Sequence, residues 1–267
     1  MKIYQSQINE FQKNGVIYLP QLISKDWQQR LSIAIENDIK NPGPHYHGYQ
    51  VDGGGNFHGN MRLWENDSEF KDYCFNSVLP AVAAQIMHSK NVALFYDQLF
   101  VKEPGTNAPT RWHNDQPYWS VRGWDVMSFW VALDPTTMDT GVLEFVKGSH
   151  QWDQWFQPEP FAEGGDEYES NDDYVKMRDI DAEREQLEML SWDMQPGDVV
   201  AFHGLTVHGA KGNSSTNTRR RGYTVRYCGD DAHYYAGSGT NEDLRNPQLK
   251  QGDALYSQQY PKVWPRL

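Results

Sequence analysis

Up to about residue 90 the apolar residues of this chain recur at helical spacing, and after it they alternate; that change of period limits the fold more than any other feature. Residues 5–14 carry Ile8 and Phe11 at helical spacing until Gly15 stops the pattern, and Val16-Ile17-Tyr18-Leu19 is a short apolar strand ended by Pro20. Ser24 is suited to cap a helix over 25–38, whose pattern runs through Trp27, Leu31, Ile33 and Ile35. Residues 41–60 form a loop rich in Gly, His and Pro that includes Gly53-Gly54-Gly55, and 68–89 is one further helix bringing Tyr73, Val78, Leu79, Val82 and Ile86 to a core. From residue 92 the chain turns to strands. Ala93 to Lys102 alternates, with Tyr96, Gln98, Phe100 and Lys102 on one face, and strands follow at 126–133, 141–146, 199–202, 206–208 and 222–228. Helices first and many strands afterward predict one domain, a helical cover over about 1–90 on a β-sandwich or barrel over about 91–235. Within it, 151–190 is acidic and irregular, with Gly164-Gly165-Asp166-Glu167 and Asn171-Asp172-Asp173. It is read as a surface insertion or lid because it has too few apolar residues for its own core.

Composition narrows the functional classes. Apolar residues make up 38% of the chain, with 10 Trp, 15 Tyr and 11 Phe, which suits stacked sheets or a deep pocket. A net charge of −12 disfavours nucleic acid and anionic membrane as partners. The two cysteines, Cys74 and Cys228, have neither metal-ligand spacing nor the number for a disulfide framework, so a reducing cytoplasm is expected. The first ten residues hold no apolar signal core, and nowhere do about 18 apolar residues run together. A soluble cytoplasmic protein, monomer or homodimer, is the resulting expectation.

The chemistry concentrates in Trp112-His113-Asn114-Asp115 and, 95 residues after His113, in Val207-His208-Gly209. His113 and Asp115 are two apart, so on an extended segment both leave the same face. One further imidazole brought alongside would make two nitrogens and one carboxylate on one side of a metal, a set that suits Fe(II) and leaves three positions open. With nine histidines a lone His-x-Asp arises easily by chance, but this one follows a Gly/Pro turn at a strand edge. His203 and His208 both stand where the third ligand is needed. They are five apart and face opposite ways on a regular strand, and the simpler reading of His203 is a packed histidine bonded to backbone. Eleven residues after His208 begins Arg219-Arg220-Arg221, a source of a fixed cation for a carboxylate, and position alone does not separate Arg219 from Arg220.

These residues carry a resemblance to the phytanoyl-CoA dioxygenase family of Fe(II)- and 2-oxoglutarate-dependent oxygenases. The likeness spans most of the chain: Phe11–Ile17, Gln98-Leu99-Phe100-Val101-Lys102-Glu103-Pro104-Gly105, Trp112–Gln116, Trp130-Val131-Ala132-Leu133, Thr140–Leu143, Lys147-Gly148-Ser149-His150, Pro196-Gly197-Asp198, His208-Gly209-Ala210 and Arg219 follow in family order. The resemblance implies a mainly β fold with flanking α-helices, a double-stranded β-helix of the jelly-roll, cupin-like kind, with metal in the barrel mouth. It implies His113, Asp115 and His208 as catalytic metal ligands, and Arg219 as the grip on the far carboxylate of 2-oxoglutarate. It puts Trp130, Gln98 and Lys102 around that co-substrate, with Arg62 roughly where relatives carry a basic residue reaching toward it. One departure is Ala210, where many members have Ser; Ser128 is the expected replacement for that hydroxyl.

The implied reaction consumes Fe(II)-bound O2 and 2-oxoglutarate, releases succinate and CO2, and hydroxylates a C–H bond of a small molecule. Asp115 occupies the place where related halogenases have Gly or Ala, which favours hydroxylation over halogenation. Trp112, Tyr118, Trp119 and Trp124, with His45, Tyr46, His47 and His58, are candidate pocket walls, and each taken alone is more simply a packing residue. The acidic 151–190 segment points to a small polar or natural-product-like substrate over acyl-CoA. The alternatives are desaturation, epoxidation or oxidative bond cleavage at the same iron, or a cupin-like ligand-binding protein without turnover. Nothing in the last of these calls for the cation near residue 219.

Overall fold

A computed structural model describes residues 2–50, 54–160 and 167–266. The helices are α1 (Gln5–Asn14), α2 (Lys25–Lys40), α3 (Ser68–Asn76) and α4 (Leu79–Met87). The strands begin with β1 (Val16–Leu19), β2 (Tyr49–Gln50), β3 (Asn56–Met61), β4 (Val92–Lys102) and β5 (Thr110–His113). They continue with β6 (Val121–Arg122), β7 (Val126–Ala132), β8 (Leu143–Val146), β9 (Met189–Leu190) and β10 (Val199–His203). The last four are β11 (His208–Ala210), β12 (Arg220–Cys228), β13 (His233–Tyr234) and β14 (Lys262–Trp264).

A large antiparallel sheet runs β1-β10-β7-β12-β4-β3-β2, with β14 beside β4, and a smaller sheet runs β5-β11-β8-β9. Strand alternation gives the large sheet two unlike faces. Phe129, Val131, Leu99, Val101, Tyr223, Val225 and Tyr227 point to the helices and pack with Leu31, Ile35, Phe70, Tyr73 and Leu79. Trp130, Val200 and Phe202 point the other way and meet Leu143 and Phe145 of the small sheet. The result is the jelly-roll arrangement with a helical cover on one side, and the inward positions of β4, β7 and β12 are free to carry chemistry.

Local signals explain most boundaries. Gly15 ends α1 in the left-handed region at φ 78°, and Ser24 caps α2 by accepting from the Trp27 N–H at 3.3 Å. Three expectations change. The single helix expected over 68–89 is two, because the chain breaks at Ser77-Val78 and Pro80, which has no N–H to donate, sits in the first turn of α4. The expected loop over 41–60 contains β3, paired along β4 from Phe57 opposite Lys102 to Met61 opposite Gln98. A side chain at Gly59 of β3 would start 2.3 Å from the His47 ring, so the glycine leaves space for that imidazole. Ile33 fitted the helical spacing yet is 57% exposed, since α2 buries Leu31, Ala34 and Ile35. Gly53 and residues 164–166, singled out above, lie outside the described residues.

The acidic segment is anchored rather than independent. β9 pairs with β8, and Phe156 and Ile180 are buried against Val146 and Val207. Tyr118 both donates to the Glu159 carbonyl and accepts from its N–H, each at 3.0 Å. Among the described residues no helix is long and apolar enough to cross a membrane.

Candidate metal centre

His113 is the last residue of β5 and His208 the first of β11, and the two are direct cross-strand partners. Asp115 comes to them differently from what an extended segment predicts. It has left the strand (φ −70°, ψ −43°) and opens a short helical turn over Gln116–Tyr118, which swings its carboxylate beside both rings. One ligand atom from each of His113, Asp115 and His208 lies within 4.8 Å of the others, and this is the group of that kind found among the described residues. All three are buried.

Hydrogen bonds set the imidazoles for metal. His113 Nδ1 lies 2.7 Å from the Arg111 carbonyl and His208 Nδ1 lies 2.9 Å from the Thr206 carbonyl. A carbonyl only accepts, so each Nδ1 carries a proton and each ring turns its Nε2 toward Asp115. Asp115 Oδ1 is 3.5 Å from His113 Nε2 and 4.0 Å from His208 Nε2. Burial, and then His113, lower the His208 pKa to about 3, which keeps the ring neutral. Burial alone would raise the Asp115 carboxyl, but the Arg226 guanidinium, and then the bond from His113, outweigh it and hold the group well below the usual carboxylate range. Two imidazole nitrogens and an ionised carboxylate are the donor set that suits Fe(II). His203 is not part of it. Its Nε2 meets the Trp124 carbonyl at 2.8 Å and its Nδ1 accepts from the Leu205 N–H at 3.0 Å, so neither nitrogen is left for a metal.

The clamp assignment needs correction. Arg219 lies on the helix side of the sheet, about a third exposed, and is held by Glu103 (2.9 Å) and by Glu36 of α2 (2.6 Å). Arg220 is the buried cation. It faces inward opposite Lys102, donates from Nη2 to the Gly141 carbonyl at 3.0 Å, stands 5.5 Å from the Trp130 ring and has no partner at Nε. The reason is phase: Tyr223, Val225 and Tyr227 are turned to the helices, so Arg220, Gly222, Thr224 and Arg226 are turned inward. The apolar run at 223–227 carried that signal in the sequence, and counting eleven residues from His208 across a loop did not.

The other expected residues divide. Lys102 is buried on the inner face with Nζ on the Lys211 carbonyl at 2.7 Å, and burial together with Arg220 lowers its pKa to about 6. Gln98, Thr224 and Trp130 form one row across β4, β12 and β7, and the Trp130 ring lies over Gly222, where any Cβ would meet it at 2.2 Å. The Ser128 hydroxyl is committed to Asp115 Oδ2 at 2.9 Å. Arg62 is not brought to the cluster; Glu65 and the Asp243 carbonyl hold it, each at 2.8 Å. Of the proposed walls, the Tyr118 ring is edge-on to His113 at 5.8 Å and His47 Nε2 is 3.5 Å from Gln98. Trp124 instead packs on His203 at 4.4 Å. Arg226 and Thr224 escaped the sequence reading, and Tyr96 entered it only as a position on one face of β4.

Known proteins resemble this chain in sequence and in fold. The profile of the family described as Phytanoyl-CoA dioxygenase (PhyH) matches residues 11–222. Human peroxisomal phytanoyl-CoA dioxygenase is 24% identical over 186 residues, covering 67% of this chain and 52% of that protein. The chain thus spans about half the length of the curated relatives it matches first. The carbocyclase SnoK from nogalamycin biosynthesis, described as non-heme and alpha ketoglutarate dependent, superposes with a TM-score of 0.77 at 20% identity, covering 98% of this chain and 97% of that one. The epimerase SnoN, solved with Fe3+, alpha ketoglutarate and nogalamycin RO, gives 0.75 at 18% identity, covering 97% and 98%.

Proposed function

The chain belongs to the phytanoyl-CoA dioxygenase family, and from that premise we propose that it is a non-haem Fe(II)- and 2-oxoglutarate-dependent dioxygenase that hydroxylates a C–H bond of a small molecule. One observation carries the reading: the buried His113, Asp115 and His208 converge, with both Nδ1 atoms on backbone carbonyls and both Nε2 atoms turned toward the Asp115 carboxylate. Bound Fe(II) would supply the activation of O2 coupled to decarboxylation of 2-oxoglutarate, so that substrate, 2-oxoglutarate and O2 give hydroxylated product, succinate and CO2.

The chain's own residues would do the rest. His113, Asp115 and His208 hold the metal through one atom each and leave three positions open. Arg220 takes the distal carboxylate of 2-oxoglutarate, with its unpartnered Nε and the neighbouring Lys102 as further donors. Gln98, Thr224 and the Trp130 ring over Gly222 line the path between clamp and metal. Arg219 has no part in the clamp, since Glu36 and Glu103 occupy it.

The substrate is proposed to be small and polar or natural-product-like. The net charge of −12 and the acidic segment docked through Tyr118 beside His113 disfavour a polyanion such as acyl-CoA. SnoK is described as a carbocyclase and SnoN as an epimerase, and those outcomes would begin with one hydrogen taken and no hydroxyl returned, after which ring closure loses a second hydrogen and epimerisation takes one back on the other face. Product mass separates the cases: hydroxylation adds one oxygen, carbocyclisation removes two hydrogens, and epimerisation changes neither.

The test is an anaerobic titration with Fe(II) and 2-oxoglutarate, followed at the metal-to-ligand charge-transfer band. It is then repeated over a metabolite panel with succinate as readout. A band in the wild type that weakens in Arg220→Ala is expected. Its absence from the wild type would end this reading.

A further inference from the structure

Resting on that reading, we propose that Arg226 is a positioning residue which, with Ser128, holds the second oxygen of Asp115 off the metal and so keeps one coordination position open for O2.

The two carboxylate oxygens of Asp115 have different surroundings. Oδ1 faces His113 Nε2 at 3.5 Å and His208 Nε2 at 4.0 Å. Oδ2 faces away, accepting from Ser128 Oγ at 2.9 Å with Arg226 Nε 3.7 Å off. Ser128 and Arg226 are direct partners in the register of β7 and β12, so the sheet delivers both groups to one oxygen. Arg226 is itself held: its guanidinium carbon lies 4.3 Å from the Tyr96 ring centre and 5.6 Å from that of Trp119, and Trp119 Nε1 donates to the Tyr96 hydroxyl at 2.9 Å.

Beside those ring faces, the anion next to Arg226 among the described residues is Asp115. The residue is 3% exposed, its Nε and Nη1 are sealed without a hydrogen-bond partner, and its ion pair among the described residues is with Asp115. A buried guanidinium is costly unless an anion sits beside it. Arg220, six residues earlier on the same face, already serves the co-substrate in the proposed reading.

Coordination arithmetic shows why the second oxygen matters. Two imidazoles and one carboxylate oxygen leave three of six positions, two for a chelating keto-acid and one for O2. A carboxylate binding through both oxygens would leave no place for O2 once the keto-acid is on. Groups that orient a ligating carboxylate this way are worth about 10–100-fold in metal affinity or activity.

The experiment uses nitric oxide as a diatomic probe of the O2 position on the anaerobic protein loaded with Fe(II) and 2-oxoglutarate, read by electron paramagnetic resonance. Wild type should form both the charge-transfer band and the nitrosyl signal; lack of the band there would count against the function and not against this inference. Arg226→Met should keep the band and lose nitric oxide affinity by about tenfold or more, with Arg226→Lys restoring most of it. Wild-type nitric oxide affinity in Arg226→Met would overturn the proposal. If that variant does not fold, Ser128→Ala, which removes the other hold on Oδ2, should show a smaller loss, and no loss there would overturn it equally.

Discussion

Arg220 and Lys102 are direct cross-strand partners on β12 and β4, and both are buried on the face turned to the metal cluster. Two basic side chains enclosed together without a carboxylate in their bonds form a site prepared for an anion.

The first prediction separates neighbours in one arginine run. Arg220→Ala should weaken 2-oxoglutarate binding by about 30-fold or more, the scale of about 2 kcal/mol or above for removing one partner of a buried charged contact. Arg219→Ala should change it by less than about twofold, because that side chain is paired with Glu36 and Glu103 outside the barrel. Equilibrium titration of both variants checks this, and equal losses would contradict the assignment.

Binding should also take up a proton. Lys102 has its pKa lowered to about 6, so the amine is largely neutral above that pH in the free protein. A bound dianion beside Arg220 and Lys102 favours the charged amine and raises its pKa. Calorimetry at pH 7.5 in buffers of different ionisation enthalpy should therefore register proton uptake on 2-oxoglutarate binding, and Lys102→Met should abolish it. For folding the sign runs the same way: the unfolded chain binds the Lys102 proton more tightly, so this group makes stability rise from about pH 6 toward 10.

The two late histidines should part cleanly. His208→Ala should remove tight Fe(II) binding, since it takes away one of three ligand atoms. His203→Ala should leave the charge-transfer band intact and lower stability by about 1–3 kcal/mol, the cost of stranding the Trp124 carbonyl and Leu205 N–H it satisfies. Loss of metal binding in the His203 variant, with the fold intact, would reverse the ligand assignment.

Asp97 should make stability fall as pH rises. It is buried beneath the helices, and although the Tyr223 hydroxyl (2.6 Å) and Trp64 N–H (3.1 Å) bond to its carboxylate, burial raises its pKa to about 7. The folded state thus keeps a proton the unfolded chain releases near pH 4, and stability drops from about pH 4 to 7. Thermal midpoints across that window should decline more in wild type than in Asp97→Asn, which carries no charge at any of these pH values. Parallel curves would show that Asp97 is not the cause.

The parts of this molecule legible in the sequence are those where one physical rule acts alone. Ile8 and Phe11 before Gly15 define α1, and the alternation of β4 turns Gln98 and Lys102 to one side, because burial on one face imposes a period. The convergence of His113, Asp115 and His208 was legible because few side-chain types can serve as ligands. Arg220 was passed over because the count from His208 crosses a loop, whose length is free, whereas strand phase is not. β3 was hidden because Asn56, Gly59 and Asn60 belong to no apolar pattern; β4 and the His47 ring decide their conformation. Asp115 was found for a reason only partly right, since a helical turn rather than an extended strand brings it to His113.

The imidazoles belong to the small sheet, while Ser128, Arg220 and Arg226 belong to the large one. Asp115, joined to Ser128, is therefore a tie rod between two walls, and a keto-acid reaching from metal to Arg220 would be a second. The hydrogen bonds of each sheet run within it, so a widening of that gap would part the imidazoles from Ser128 and Arg226 with both walls intact. Loading both ties should stiffen the seam between the sheets more than either does singly.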